Sequence, residues 1–151
     1  MNTQAICNSF KADCMRGYHA LAATEIRATT TKDTIKAALY LASATINKNT
    51  TAYTATGEVT GTNYTAGGVV VTNATAPALD VDTAHWTPSA SIVFTNVTLS
   101  TNFDAVLLYN DTFTTKRAIS VHTFGNQTVT AGDFTITMPV NDGTTGLLRA
   151  A

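Results

Sequence analysis

Threonine is the feature that most restricts the fold of this chain, because it supplies 31 of the 151 residues. Its β-branched side chain loses rotamer freedom in a helix but fits the pleated, half-buried surface of a strand. Charged residues usually cover a soluble domain, yet they make up only 13% of this chain, against about 25% in an average one. Threonine must therefore cover much of the surface, and strands are favoured over helices.

Short apolar segments with period-two alternation recur along the chain, which is typical of strands. Alternation is strictest in residues 133–138, where Phe134, Ile136 and Met138 share one face and polar residues the other. Turn residues at 100–102 and 125–126 separate neighbouring segments. No strand–helix–strand rhythm is present, so an antiparallel arrangement is favoured. The predicted strands are 34–41, 69–72, 78–83, 91–99, 103–109, 117–124, 133–138 and 147–149.

The N-terminal residues have a different pattern. Apolar side chains at Ala5, Ile6, Phe10 and Cys14 form one stripe of a short amphipathic helix that Gly17 can end. We therefore divide the chain into an N-terminal helical segment (1–17), an irregular connector (18–30) and a β-sandwich (33–151). A chain of this length can bury one core without disulfides or metals. The prediction is a single all-β domain, an antiparallel β-sandwich or jelly-roll-like fold with a short N-terminal helix.

The overall charge balance argues against several partners. The net charge is −1 and no basic stripe exists, so neither nucleic acid nor an anionic membrane surface is an expected partner. No apolar run is long enough to span a bilayer, and Met1 to Cys14 is too polar for a signal peptide. We expect synthesis in a host cytoplasm.

Cys7 and Cys14, about 10 Å apart on one helix face, are too distant for a disulfide and are predicted to be small buried hydrophobic residues.

Residues that could carry chemistry are few and scattered. His19, His85 and His122 have no zinc-ligand spacing, and His122 is predicted to be an ordinary strand histidine. Nucleophilic serine motifs and phosphate-binding glycine loops are absent. We therefore predict no catalytic residue, no cofactor and no metal site. An enzyme would require Asp80 and Asp82 to meet His85 around a metal ion.

Four positions have alternative interpretations. Glu58, the only acid in the glycine- and threonine-rich stretch 53–68, is either solvated or pins a hairpin. Trp86 either anchors a corner of the core or forms a subunit contact, since tryptophan is enriched at interface hot spots. Ile6 and Phe10 can pack on the chain's own sandwich or on a neighbour. Ile6, Phe10 and Trp86 are the interface candidates.

Several segments together resemble a family of small virion proteins of tailed bacteriophages. They are AICNSFK (5–11), DTIKAALY (33–40), YTATGEVTGTNYTAGG (53–68), GDFTITMP (132–139) and LLR (147–149), and they occur in the same order over nearly the whole chain. The resemblance implies a capsid cement, or decoration, protein. It further implies a jelly-roll-like sandwich that forms a homotrimer, binds the major capsid protein and lies on the capsid surface of the virion.

Two other functions remain open. The first is a tail, collar or adaptor protein of the virion, with the same fold but fewer copies in each particle. The second is a carbohydrate- or receptor-binding module, in which exposed aromatic rings stack on a ligand. Trp86, Tyr53, Tyr64 and Tyr109 would supply those rings.

Overall fold

A computed structural model describes residues 1–21 and 32–150. The predicted all-β class is confirmed, because within these residues eight strands form two antiparallel sheets and one short helix accompanies them. The five-stranded sheet has the order β1-β7-β6-β2-β3 and the three-stranded sheet the order β4-β5-β8. The elements are β1 (Ala5–Ile6), α1 (Asn8–Met15), β2 (Ile35–Leu41), β3 (Val69–Val70), β4 (Ala78–Asp80), β5 (Thr83–Trp86), β6 (Ile92–Asn110), β7 (Ala118–Ile136) and β8 (Leu148–Ala150).

A long hairpin of β6 and β7, each of 19 residues, is the largest element of the fold. The prediction of turns at 100–102 and 125–126 is wrong, because both stretches lie inside continuous strands. The pairs Leu99–Val129, Phe103–Gln127 and Ala105–Thr123 show that each strand carries extra residues at this point. These polar and glycine residues form β-bulges, which change the register without ending the ladder. The predicted alternation of 133–138 is confirmed by its alternately half-buried and exposed side chains.

The core is centred on β2 and on the second half of β6. β2 pairs with β6 from Ile35–Asn110 to Leu41–Phe103, and Ala37 to Tyr40 are buried without interruption. A strand that is buried on both faces has apolar residues at consecutive positions. This explains why apolar and polar residues alternate only partly in this segment. The strand prediction for 34–41 is thereby confirmed.

The N-terminal segment is less helical than predicted. Residues 5 and 6 form β1, which adds to the sheet through the pairs Ala5–Val121 and Ile6–Ser120, and the helix covers only residues 8–15. Cys7, the residue before the helix, provides no side-chain cap. Because an isolated helix this short is unstable in water, its packing on the sheet must stabilise it. Of the predicted connector, residues 22–30 lie outside the described residues.

The small sheet joins two distant parts of the chain. β5 pairs with β4 in a tight hairpin and with β8 near the C-terminus, so that Trp86 lies opposite Leu148. Both side chains are buried and belong to the same apolar cluster as the large sheet's core. The two sheets therefore share one core, as in a sandwich-like fold.

The stretch 53–68 contains no strand, as its glycines predict, but it is firmly attached to the core. Glu58 is buried and pairs with Tyr40 in an isolated bridge. Its carboxylate accepts hydrogen bonds from the hydroxyl groups of Tyr53 and Tyr64 and from the backbone N–H of Gly67. Of the two interpretations of Glu58, the structure supports the one in which it pins the loop.

Candidate interaction site

One apolar pocket brings the three interface candidates together. Ile6, Phe10 and Trp86 all line a pocket of about 150 Å³ between helix α1 and the small sheet, which we call the α1 pocket. The exposed surface of its lining is almost entirely apolar, and Cys14 and Leu148 contribute to it. Sequence reasoning named these three residues singly. Their convergence depends on the pairing of β5 with β8.

All three candidates are also part of the chain's own core. Phe10 is 7% exposed, Trp86 is 1% exposed, and Ile6 is partly buried against them. The indole N–H of Trp86 donates a 2.9 Å hydrogen bond to the carbonyl oxygen of Thr75. Trp86 is therefore an anchor of the core, and only Ile6 and the small exposed edge of Phe10 are available to a partner.

The sheet wall of the α1 pocket continues beyond the core into solvent. In the register of the small sheet, Leu79, Ala84 and Ala150 form a row on the same face as Trp86 and Leu148. The inner row, Trp86 and Leu148, is buried in the core, whereas Leu79 in the outer row is 70% exposed. Among the described residues, this face of the small sheet is therefore buried at Trp86 and Leu148 and exposed at Leu79, Ala84 and Ala150. Its apolar surface continues from the pocket toward the turn of the hairpin.

The turn of the β4–β5 hairpin carries an unusual residue. Val81 has φ +54° and is 84% exposed. A β-branched side chain is rarely found in this left-handed region, which asparagine, aspartate or glycine normally occupies in such turns. An apolar and strained residue thus lies at the most exposed point of the small sheet.

A loop with several internal hydrogen bonds lies against the opposite face of this hairpin. Asp142 Oδ1 accepts hydrogen bonds from the backbone N–H and hydroxyl groups of both Thr144 and Thr145. These four donors hold the pKa of the Asp142 carboxyl well below its ordinary range. The backbone N–H of Gly143 in turn donates to Asp80 Oδ2. Val140, at the start of the loop, is 70% exposed.

The residues considered for a metal site do not converge on a common point. Asp80 accepts from Gly143, the Nδ1 atom of His85 lies 3.1 Å from Asn141 Oδ1, and Asp82 is an exposed turn residue. Within residues 1–21 and 32–150, no group of three or more His, Cys, Asp or Glu side chains is arranged to hold a metal ion.

The two cysteines differ in their surroundings. Cys7 is fully buried, and this burial raises the pKa of its thiol to about 12. Cys14 is exposed at the α1 pocket, and the pKa of its thiol is raised by desolvation and by the negative charge of Asp13. The prediction of a buried hydrophobic residue is confirmed for Cys7 and wrong for Cys14.

Sequence reasoning missed a buried polar cluster that fixes the N-terminal segment to the hairpin. Asp13 Oδ2 lies 3.1 Å from an Arg117 guanidinium nitrogen and 3.8 Å from His19 Nε2. On the other side of His19, Asn110 Nδ2 lies 3.1 Å from Nδ1 and donates a 2.7 Å hydrogen bond to Asp33 Oδ2. No spacing in the sequence indicates this cluster, because its members come from three distant parts of the chain, 13–19, 33 and 110–117.

The aromatic residues considered for ligand stacking point inward. Tyr109 and Trp86 are buried, and Tyr53 and Tyr64 are half-buried. Their polar atoms are engaged within the chain: Tyr53 and Tyr64 bind Glu58, Tyr109 donates to the Gly67 carbonyl, and Tyr53 stacks on Tyr109 at 4.8 Å. These rings do not form an exposed platform.

Comparison with protein-family models, with curated protein sequences and with solved structures gives no match for this chain. In the part of the chain that the structure describes, no helix is long and apolar enough to cross a membrane. Any functional assignment therefore depends on the sequence resemblance and on the geometry of the small sheet.

Proposed function

We propose that this chain is a structural protein of a tailed-bacteriophage particle, specifically a capsid cement protein that binds major capsid protein subunits and stabilises the shell. The observation that carries the proposal is the apolar surface at the end of the small sheet. Leu79 and Val81 are 70% and 84% exposed there, and Val140 is 70% exposed in the loop on the opposite face. Exposed apolar groups gathered at one end of a domain are typical of protein–protein contacts.

The composition of the surface supports the same function. A net charge of −1 and a threonine-rich exterior produce little repulsion between neighbouring copies, as dense packing on a shell requires. Each stable contact in such an assembly buries about 1,200–2,000 Å². Many equivalent contacts on one shell then add to a large stabilisation even when each is modest.

The alternative of a tail, collar or adaptor protein uses the same surface and differs in the number of copies. The carbohydrate- or receptor-binding alternative is less well supported, because Trp86, Tyr53, Tyr64 and Tyr109 are turned into the core. No specific observation favours a second function over the first.

The decisive experiment is to count the copies of this chain in purified particles. Quantitative mass spectrometry with isotope-labelled peptides would compare the chain with the major capsid protein of the same particles. A ratio near one to one supports the cement function. About a dozen copies would move the chain to the neck or tail, and absence from particles would overturn the proposal.

A further inference from the structure

We propose that the tip of the β4–β5 hairpin of one copy docks in the α1 pocket of a second copy of the chain. The hairpin tip comprises residues 79–82. The inference deepens the proposed function and rests on it, in that a shell or ring subunit must contact its neighbours. It names the two surfaces that make this contact.

The donor surface is the hairpin tip itself. Leu79 is 70% exposed and Val81 is 84% exposed. Val81 is also held at φ +54°, where asparagine or glycine would be stable and soluble. An exposed valine at this position costs conformational free energy in the monomer, and docking of its side chain would offset that cost.

The acceptor surface is the α1 pocket, whose size suits such a side chain. The pocket is a depression open to solvent, and its volume of about 150 Å³ matches that of an apolar cavity able to hold benzene. A valine or leucine side chain is smaller than benzene and would fit beside Phe10 and Trp86. Filling the pocket would cover the small exposed edge of Phe10 and the exposed Cys14, Ala84 and Ala150, which also line it.

A chain cannot dock its own tip in its own pocket. Val81 lies in the turn, three residues before Ala84 at the near edge of the pocket and five before Trp86 on its far side. Moving the tip onto the pocket would require β4 to separate from β5, with loss of the pairs from Ala78–His85 to Asp80–Thr83. The donor and acceptor therefore belong to different copies.

Charge complementarity favours the same pairing. Asp82, beside Val81, is exposed at the hairpin tip. Lys11 is exposed on α1, next to Phe10 and three residues before Cys14, which both line the pocket. Docking would bring the carboxylate of one copy toward the ammonium group of the other. Because the two surfaces differ, the contact is head-to-tail and can close into a ring such as the predicted trimer.

Cys14 allows this contact to be tested by disulfide trapping. A V81C/C14S chain, which has a thiol at the tip and none at the pocket, would be co-expressed with the wild-type chain and oxidised with diamide after purification. Any disulfide between positions 81 and 14 then joins two chains by construction, and peptide mass spectrometry identifies it. The matched control is V93C/C14S, because Val93 is also an exposed valine, 40% accessible, but lies in β6.

We expect the 81–14 disulfide to form at least tenfold faster than the 93–14 disulfide. Equal rates, or a chain that remains monomeric in sedimentation at all concentrations, would overturn the proposal. Val81→Gly provides a second measurement, because glycine relieves the positive φ and removes the docked side chain. We expect a higher melting temperature together with at least tenfold weaker self-association, whereas unchanged association would contradict the proposal. These results are independent of copy number, so failure of the docking contact and failure of the cement function can be told apart.

Discussion

The hydroxyl group of Tyr64 donates a 2.7 Å hydrogen bond to Oε1 of Glu58, a residue that is only 7% exposed. Tyr53 donates to the other carboxylate oxygen at 2.6 Å, and the N–H of Gly67 donates to Oε1 at 2.7 Å. Desolvation and the hydrogen bond to Glu58 raise the pKa of Tyr53 to about 12 and that of Tyr64 still further. One acceptor group thus holds both ends of the loop 53–67.

Replacement of this carboxylate by an amide should destabilise the fold. Glu58→Gln places an NH₂ group opposite a tyrosine hydroxyl or the Gly67 N–H, so a buried donor loses its acceptor. We expect a loss of about 2–4 kcal/mol in the free energy of unfolding, measured by urea denaturation. Tyr53→Phe, which removes a single donor, should cost only about 1 kcal/mol, and an equal effect of both changes would contradict this explanation.

His122 should make stability depend on pH. It lies half-buried in β7 opposite Val106, and burial lowers the pKa of its imidazole to about 4 from 6.5. Below pH 6.5 the unfolded chain binds a proton that the folded chain does not bind until about pH 4. Stability should therefore fall by up to about 3 kcal/mol as the pH drops through this interval, and should be unaffected by His122 above it.

The measurement is the difference in unfolding free energy between the wild-type chain and His122→Gln from pH 7.5 to pH 4. Other titrating groups cancel in this difference. A difference that does not change with pH would show that His122 is protonated equally in both states.

Phe10 should be required for the chain's own stability. Its ring is 7% exposed and lies 4.9 Å from the ring of His19. Phe10→Ala removes most of a buried aromatic side chain, and we expect a cost of about 3 kcal/mol in urea denaturation. Lys11→Ala, an exposed change on the same helix, is the control and should cost less than about 0.5 kcal/mol. A fully stable Phe10→Ala chain would instead assign this ring to a subunit contact.

A pair of glycine substitutions should separate close backbone packing from local flexibility. A Cβ atom on Gly68, which has φ +72°, would lie 1.8 Å from the carbonyl oxygen of Ala37. Gly68→Ala must displace the loop from β2, so we expect loss of cooperative thermal unfolding. Gly125 has no atom within 4 Å of the same position, and Gly125→Ala should melt within a few degrees of the wild-type chain. Equal melting temperatures would contradict the close approach.

Local sequence patterns predicted the elements that depend on local chemistry. The partial alternation of 34–41 and the strict alternation of 133–138 identified two strands, and the glycines of 53–68 identified a loop. The mistaken turns at 100–102 and 125–126 have a physical reason. Polar and glycine residues favour bulges as well as turns, and only the partner strand decides between them.

The candidate site could not be predicted as a site, because it depends on contacts between distant residues. Trp86 and Leu148 are 62 positions apart, and nothing near either residue specifies their pairing. The same holds for Asp13 and Arg117, whose ion pair joins α1 to the residue just before β7. Residue type indicated Ile6, Phe10 and Trp86 as candidates, but only the pairing of β5 with β8 places them around one pocket.

The length of the β6–β7 hairpin has a consequence for the order of folding. Its two strands are joined by only seven residues, 111–117, so the cost of closing this loop is low and its ladder can form from neighbouring parts of the chain. β1 must instead join residues more than a hundred positions away, and β8 must return to β5 across the whole hairpin. We therefore expect the hairpin to form early, and the α1 pocket, built from both ends of the chain, to be completed last.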